Sequence, residues 1–244
     1  MLKLIIDIFR HGFIFWLIWN YPKLVRYSNH PERYPYKVRY DFAMDMMRRC
    51  KAATNYEYDI KGIENIPTED NIVYLPNHQA MLDPMFIQIL PQKRFIIVSK
   101  KEAKHYPFVG RISRVIDSVF IDRKDMRASY IAIKEASERL AVPGTSLLIF
   151  LEGTRTKNPN HEMNEFKPGG LRPAYDNKST ICPVAMSGNF KILSTKWHKK
   201  RYHVDIEFLK PIPYEEYSML STSQLAKLVH DQIAEVVKNQ NENI

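Results

Sequence analysis

Five short apolar runs, set apart by stretches of mixed polarity, constrain the fold of this chain more than any other feature. They are 71–75 (NIVYL), 94–98 (RFIIV), 117–121 (DSVFI), 146–151 (SLLIFL) and 180–186 (TICPVAM). Their near-continuous apolar character is that of strands buried on both faces. Helical patterns separate several of them. The clearest is 126–141, with Asp125 as its N-cap and Pro143-Gly144 closing it. A further strand, 203–209 (HVDIEFL), alternates polar and apolar residues and is expected nearer an edge. A C-terminal helix is expected from Ser221, with Gln224 as its capping partner, to about Lys238. Strands alternating with helices predict an α/β fold with a central, largely parallel or mixed sheet flanked by helices.

The 244 residues are 45% apolar with only eight glycines, enough to bury a sizeable core. The expected organisation is an N-terminal appendage over 1–55 and an α/β domain over 56–244. A net charge of +9 favours anionic partners: nucleic acid, a phospholipid surface or phosphorylated substrates. Charge alone is too little to support nucleic-acid binding, and no nucleic-acid partner is expected. The basic-aromatic run Trp197–His203 reads as a charged hairpin turn before it reads as an RNA or headgroup contact. Cys50 and Cys182 fit no metal or redox spacing and are expected as free, buried thiols.

The first twenty residues resemble a signal or span only at first sight. Lys3, Asp7, Arg10 and His11 interrupt them, and the uninterrupted apolar run from Gly12 to Trp19 is far shorter than the ~20 residues a span needs. Lys3, Asp7 and Arg10 share one helical stripe, while Leu2, Ile5, Ile6, Phe9, Phe13, Trp16 and Leu17 line the other side. Such a helix suits a membrane interface. Pro22 is expected to end it. A second helix is expected over about 37–53, with Tyr40, Met44, Met47 and Cys50 on one side and Arg39, Arg48, Arg49 and Lys51 making it basic. Two such helices would form a membrane-binding foot, or else a helical hairpin over one face of the sheet.

Two loops carry the chemistry. Asn77-His78-Gln79-Ala80-Met81-Leu82-Asp83-Pro84 follows the first strand and supplies a base candidate and a carboxylate. On a continuous helix the two would point about 140° apart, so the loop must be compact. Asp83 before Pro84 suits a helix N-cap, which would bring His78 back beside the carboxylate. Either Asp83 orients the imidazole as a general base, or it only caps the helix while His78 serves the loop backbone. The second loop, Glu152-Gly153-Thr154-Arg155, follows the most apolar strand. Gly153 permits a sharp turn and Arg155 can grip a phosphate, although a surface turn with a Glu–Arg pair is the commoner outcome of such a sequence. Lys100 and Lys101 follow the run 94–98, Arg123 follows 117–121, and Lys167 precedes Gly169-Gly170; together they would gather cations at one sheet edge. There is no nucleotide-binding glycine loop, no zinc spacing and no nucleophile elbow, and neither metal nor cofactor is expected.

Taken together these blocks resemble the glycerolipid acyltransferase family, whose bacterial members acylate 1-acylglycerol-3-phosphate (lysophosphatidic acid). The resemblance covers roughly 70–190 in four ordered blocks: NHQAMLDP, SKKEAKHYPFVGRISRVIDSVFIDR, FLEGTRTK and ICPVAM. It implies that His78 and Asp83 are catalytic and that Glu152, Gly153, Thr154 and Arg155, with Lys100 and Arg123, bind the acceptor phosphate. Gly110, Phe120 and Pro183 fall on other positions of its motifs. Ala80 stands where the family has a serine or threonine, and the polar insert 157–165 is long. Neither departure is expected to touch the chemistry, though the insert bears on acceptor choice.

The implied reaction moves an acyl group from acyl-CoA or acyl-ACP to the acceptor hydroxyl, giving phosphatidic acid without a covalent acyl-enzyme. Backbone amides near Gly153 or at the helix starting at Pro84 are the candidate oxyanion donors. The implied setting is peripheral and monotopic on the cytoplasmic face of the cell membrane, against anionic phospholipid. Another acceptor (glycerol-3-phosphate, a lysophospholipid or an ornithine lipid), hydrolysis by the same dyad, and a non-catalytic lipid-binding protein remain as alternatives.

Overall fold

A computed structural model describes residues 12–53, 56–91, 94–156, 162–191 and 202–242. The Lys3/Asp7/Arg10 stripe and most of the Trp197–His203 run lie outside these residues. Seven strands form one sheet: β1 (Tyr56–Lys61), β2 (Val73–Pro76), β3 (Arg94–Lys100), β4 (Val119–Ile121), β5 (Thr145–Leu148), β6 (Ile181–Ser187) and β7 (Tyr202–Phe208), in the order β1-β7-β6-β2-β5-β3-β4. Strands β6, β2, β5, β3 and β4 run parallel. Strand β7 is antiparallel to β6, and β1 runs parallel with β7, so the sheet is mixed.

Strand β1 was not expected. Its tyrosines and isoleucine alternate with Glu57, Asp59 and Lys61, a period-2 pattern that the charges obscure. Tyr58 and Ile60 pack against the core, and β1 takes the edge. That leaves β7 one strand in, between β1 and β6.

On β2 the two faces separate cleanly. Ile72 and Tyr74 join one apolar cluster, Val73 and Leu75 the other, and all four are fully buried. Helices α1 (Phe13–Asn29) and α2 (Tyr36–Ala53) cover the first face, where Leu24, Tyr27, Ala43 and Met47 meet Tyr74, Phe95 and Leu148. A short helix, α3 (Val109–Val115), adds Val115 to the same side. Helices α4 (Met126–Leu140), α5 (Arg172–Asp176) and α7 (Thr222–Glu242) cover the second face, with a short α6 (Tyr214–Tyr217) before α7. Both expected caps form. Asp125 accepts from the Ala128 amide at 3.0 Å, and Ser221 and Gln224 exchange bonds as a capping box.

Pro22 does not end the first helix; it lies inside α1. It forfeits the bond to the Ile18 carbonyl, a loss of about 3 kcal/mol in a helix interior. Ile18 and Trp19 are 65% and 86% exposed there, so water can reach that turn. Beyond the proline, Leu24 and Tyr27 are buried, and each contributes about 1.5–3 kcal/mol of apolar burial, which outweighs the local defect.

The basic face expected on α2 is also revised. Arg39 points inward, bonded bidentately to Asp117 at 2.9 Å on both arms and to the Val115 carbonyl at 2.5 Å. Arg48 and Arg49 share Asp45, and Arg49 stacks over Trp16. Neither cysteine is bridged; Cys182 is buried and Cys50 half-buried. Among the described residues no helix is long and apolar enough to cross a membrane.

Candidate active site

The carboxyl ends of β2, β5, β3 and β4 stand side by side in the sheet, and every candidate residue but Lys167 lies on one of them or in the loop that follows it. This is the crevice where open α/β sheets place their ligands. His78 follows β2, Glu152 to Arg155 follow β5, Lys100 ends β3, and Arg123 follows β4.

The loop after β2 is tied at each step. Asn77, 1% exposed, reaches across to β6, donating to the Met186 carbonyl at 2.9 Å and accepting from its amide at 2.7 Å. The amide of His78 donates to Glu152 Oε1 at 2.6 Å, and its carbonyl accepts from the Thr156 amide at 3.0 Å. The imidazole stacks on Phe150 with ring centroids 4.2 Å apart. Its Nδ1 lies 2.8 Å from Asp83 Oδ2.

Asp83 is wholly buried, and the same Oδ2 accepts from the amides of Gln79 at 2.7 Å and Ala80 at 2.9 Å. With two backbone amides already donating to it, Oδ2 is the acceptor in this contact, so Nδ1 carries the proton and Nε2 keeps its lone pair. His78 remains 18% exposed. The loop is compact as expected, but its means differ. Asp83 is the first residue of a 3-10 helix, Asp83–Ile89, whose cap is Leu82. The carboxylate therefore turns back on the loop instead of capping the helix.

Glu152 is 2% exposed, and its second oxygen accepts from the Asn164 amide at 2.8 Å and the Asn164 side chain at 2.9 Å. Burial pushes its pKa up, while the bonds from Asn164 and His78 oppose the shift. Both oxygens are thus engaged within the protein, and Glu152 braces the histidine loop against the segment after β5. Asn164 belongs to the polar insert, so the insert does reach the site through its described end; residues 157–161 lie outside the description.

Gly153 has φ 72, the left-handed region, and a Cβ there would lie 3.0 Å from Lys167 Cε and 3.1 Å from Nζ. Thr154 and Arg155 are exposed. Lys100 is half-buried, its ammonium 5.2 Å above the Tyr106 ring. Arg123 is half-buried, and loss of hydration lowers its pKa, with Glu102 opposing. Lys101 is bonded to Asp122 and so is engaged elsewhere. The structure brings Arg123, Gly153 and Lys167 around one cavity. The amide of Gly153 bonds to the Phe150 carbonyl, that of Met85 bonds to the Leu82 carbonyl, and Pro84 has none, so these three positions offer no free oxyanion donor. Among the described residues no group of three or more His, Cys, Asp or Glu side chains is placed to hold a metal ion.

Sequence reasoning gave Asn77, Phe150 and Asn164 no role. A polar residue between a buried strand and the histidine was a usable signal for Asn77. Nothing local marks Asn164, which meets Glu152 only in the fold.

The family model described as Acyltransferase matches residues 57–187. A probable 1-acyl-sn-glycerol-3-phosphate acyltransferase of Mycoplasma genitalium is 28% identical over 228 residues, spanning 86% of this chain and 81% of that protein. The 1-acyl-sn-glycerol-3-phosphate acyltransferase of Borreliella burgdorferi is 29% identical over 199 residues, spanning 77% and 76%. Among solved structures, the 1-acyl-sn-glycerophosphate (LPA) acyltransferase PlsC of Thermotoga maritima has the same fold, with a TM-score of 0.68 at 23% identity over 100% of this chain and 97% of that one.

Proposed function

The chain belongs to the acyltransferase family, and from that premise we propose that it acylates the free hydroxyl of 1-acylglycerol-3-phosphate to give phosphatidic acid. It is an acyltransferase, and the names of its relatives favour this acceptor. The observation that carries the mechanism is the 2.8 Å contact of His78 Nδ1 with a fully buried Asp83.

His78 Nε2 takes the hydroxyl proton as the acceptor oxygen attacks the carbonyl carbon of a thioester, acyl-CoA or acyl-ACP. A C–O bond forms and the carbonyl electrons move to its oxygen. As they return, the C–S bond breaks, and the imidazolium gives its proton to the leaving sulfur. Asp83 stays ionised throughout, holding the tautomer and stabilising the imidazolium. No covalent acyl-enzyme forms. Arg155, Lys100 and Arg123, with Gly153 and Thr154 at the turn, hold the acceptor phosphate. Glu152 serves that group of residues from behind, by bracing the loop that carries His78.

Acceptor and product are bilayer lipids, which makes a peripheral site on the cytoplasmic face of the cell membrane the fitting location. Phe15, Ile18 and Trp19 on the outer side of α1 are 63%, 65% and 86% exposed and are the side chains suited to the interface. The test is transfer by purified protein on anionic vesicles, with labelled acyl-CoA and acyl-ACP supplied separately, beside His78→Ala. Phosphatidic acid from the wild type alone supports the reading; free fatty acid without acceptor would instead indicate hydrolysis.

A further inference from the structure

A cavity of about 610 Å³ lies between α4 and the carboxyl ends of β3, β4 and β5, a volume in the range of small-molecule sites. Val98, Ile121, Ile133, Ile149 and Leu151 give it apolar walls. It sits on the face opposite α1 and α2, since Val98, Ile133, Ile149 and Leu151 belong to the cluster of α4 and α7. Space for this chamber depends on Gly170, where a Cβ would come within 2.5 Å of Leu151 Cδ2 and 3.1 Å of Ile149 Cδ1.

Four cations line the cavity. Arg172 is paired with Asp176 and Lys134 with Glu138. Arg123 and Lys167 line it without a carboxylate within ion-pair distance among the described residues, and Lys167 stands against the Gly153 turn. Lys167 is laid directly on that turn, at a distance only a glycine there allows. Its backbone is pinned as well, the Lys167 amide donating to the Leu151 carbonyl at 2.9 Å.

We propose that this cavity receives the acyl chain the acceptor already carries, and that Lys167 joins Arg123 in holding the acceptor phosphate at its mouth. The inference rests on the acceptor reading above. One cationic pole beside one apolar chamber matches a molecule with one phosphate and one chain. In 1-acylglycerol-3-phosphate the free hydroxyl lies on the carbon between those two groups. The chamber and the dyad share strand-end residues: Ile149 and Leu151 face the cavity, and Phe150 between them lines it while its ring, turned to the α1 and α2 face, stacks on His78. Met126 and Tyr130, 88% and 68% exposed, give the cavity's edge an apolar rim.

The test fills the chamber. Ile133→Trp, with Ile121→Phe as the milder variant, is compared with wild type for binding and turnover of short- and long-chain 1-acylglycerol-3-phosphates. Binding is read by calorimetry without donor. Long-chain acceptor should lose about tenfold or more in affinity and kcat/KM, while short-chain acceptor and the donor KM stay unchanged, which also certifies the fold. Lys167→Ala should raise acceptor KM about tenfold with kcat little altered, and Lys167→Arg should restore it. A raised donor KM or altered donor chain preference, with acceptor binding intact, would overturn the proposal and assign the cavity to the thioester. Chain-dependent acceptor binding without wild-type transfer would uphold the cavity and sink the acyl-transfer reading. No acceptor binding at all would overturn both.

Discussion

The loop after β2 and the turn after β5 stand side by side at one sheet edge, yet they are built in opposite ways. Around His78 the polar atoms are over-determined. Asn77 is clamped to β6, Asp83 takes three donors on one oxygen, and Glu152 and Thr156 hold the histidine backbone from both sides. Around Gly153 the polar side chains stand in the open: Thr154 and the cations Arg155 and Lys167 are exposed. The contrast follows from the two tasks. A general base must present one nitrogen in one tautomer, which requires a rigid, buried frame. An anion grip must stay hydrated and able to close on its ligand, and charges buried without a partner would be costly.

The largest effect should come from breaking the rigid loop at its centre. Asp83→Asn replaces an acceptor of three donors with a group that offers an N–H to one of them, and steady-state kinetics should show a fall of about a thousandfold or more in kcat. Retention of kcat within a few-fold would mean that Asp83 only shapes the loop. Asn77→Leu should be next, because it leaves the Met186 amide and carbonyl unpaired in the core. We expect a loss of about 1–3 kcal/mol in denaturant unfolding and a lower kcat with acceptor KM nearly unchanged.

The open turn should respond in the other parameter. Arg155→Ala should raise acceptor KM about tenfold while leaving kcat and thermal stability alone. Equal losses in kcat and stability would erase the distinction between the two regions.

The smallest effect concerns Glu152, whose burial raises its pKa. A carboxyl with a raised folded pKa gives the fold stability that is complete below its unfolded pKa. That stability is lost as pH climbs through the raised folded value. The difference in unfolding free energy between wild type and Glu152→Gln should therefore shrink as pH rises from the ordinary carboxylate range. An advantage that grows over that range would show that the bonds from His78 and Asn164 outweigh desolvation.

Much of this was legible along the chain. Six of the seven strands announce themselves as apolar or alternating runs because a sheet covered on both faces has no room for charge. Strand β1 escaped since its Glu57, Asp59 and Lys61 mask the alternation of an edge. The dyad was legible as a pair of residue types at a short spacing, but not as a geometry. The cap expected of Asp83 is local chemistry, and the bonds it makes to the Gln79 and Ala80 amides instead depend on how the whole loop is seated. Arg39 misled for a related reason. Helical periodicity marks a basic residue, whereas only the distant turn at Asp117 turns it into a buried ion pair.

By itself the order of residues determined the strand and helix pattern, the histidine–aspartate pair and the order of the motif blocks, because hydrophobic period and turn chemistry act over a few residues. Tertiary structure alone decided the rest. It chose the edge strand, carried α1 through Pro22, and turned Glu152 and Asn164 into a brace for His78. It also set Lys167 on Gly153 beside an apolar chamber. Each of these joins residues far apart in sequence, and their energies exist only once the two covered faces of the sheet have closed.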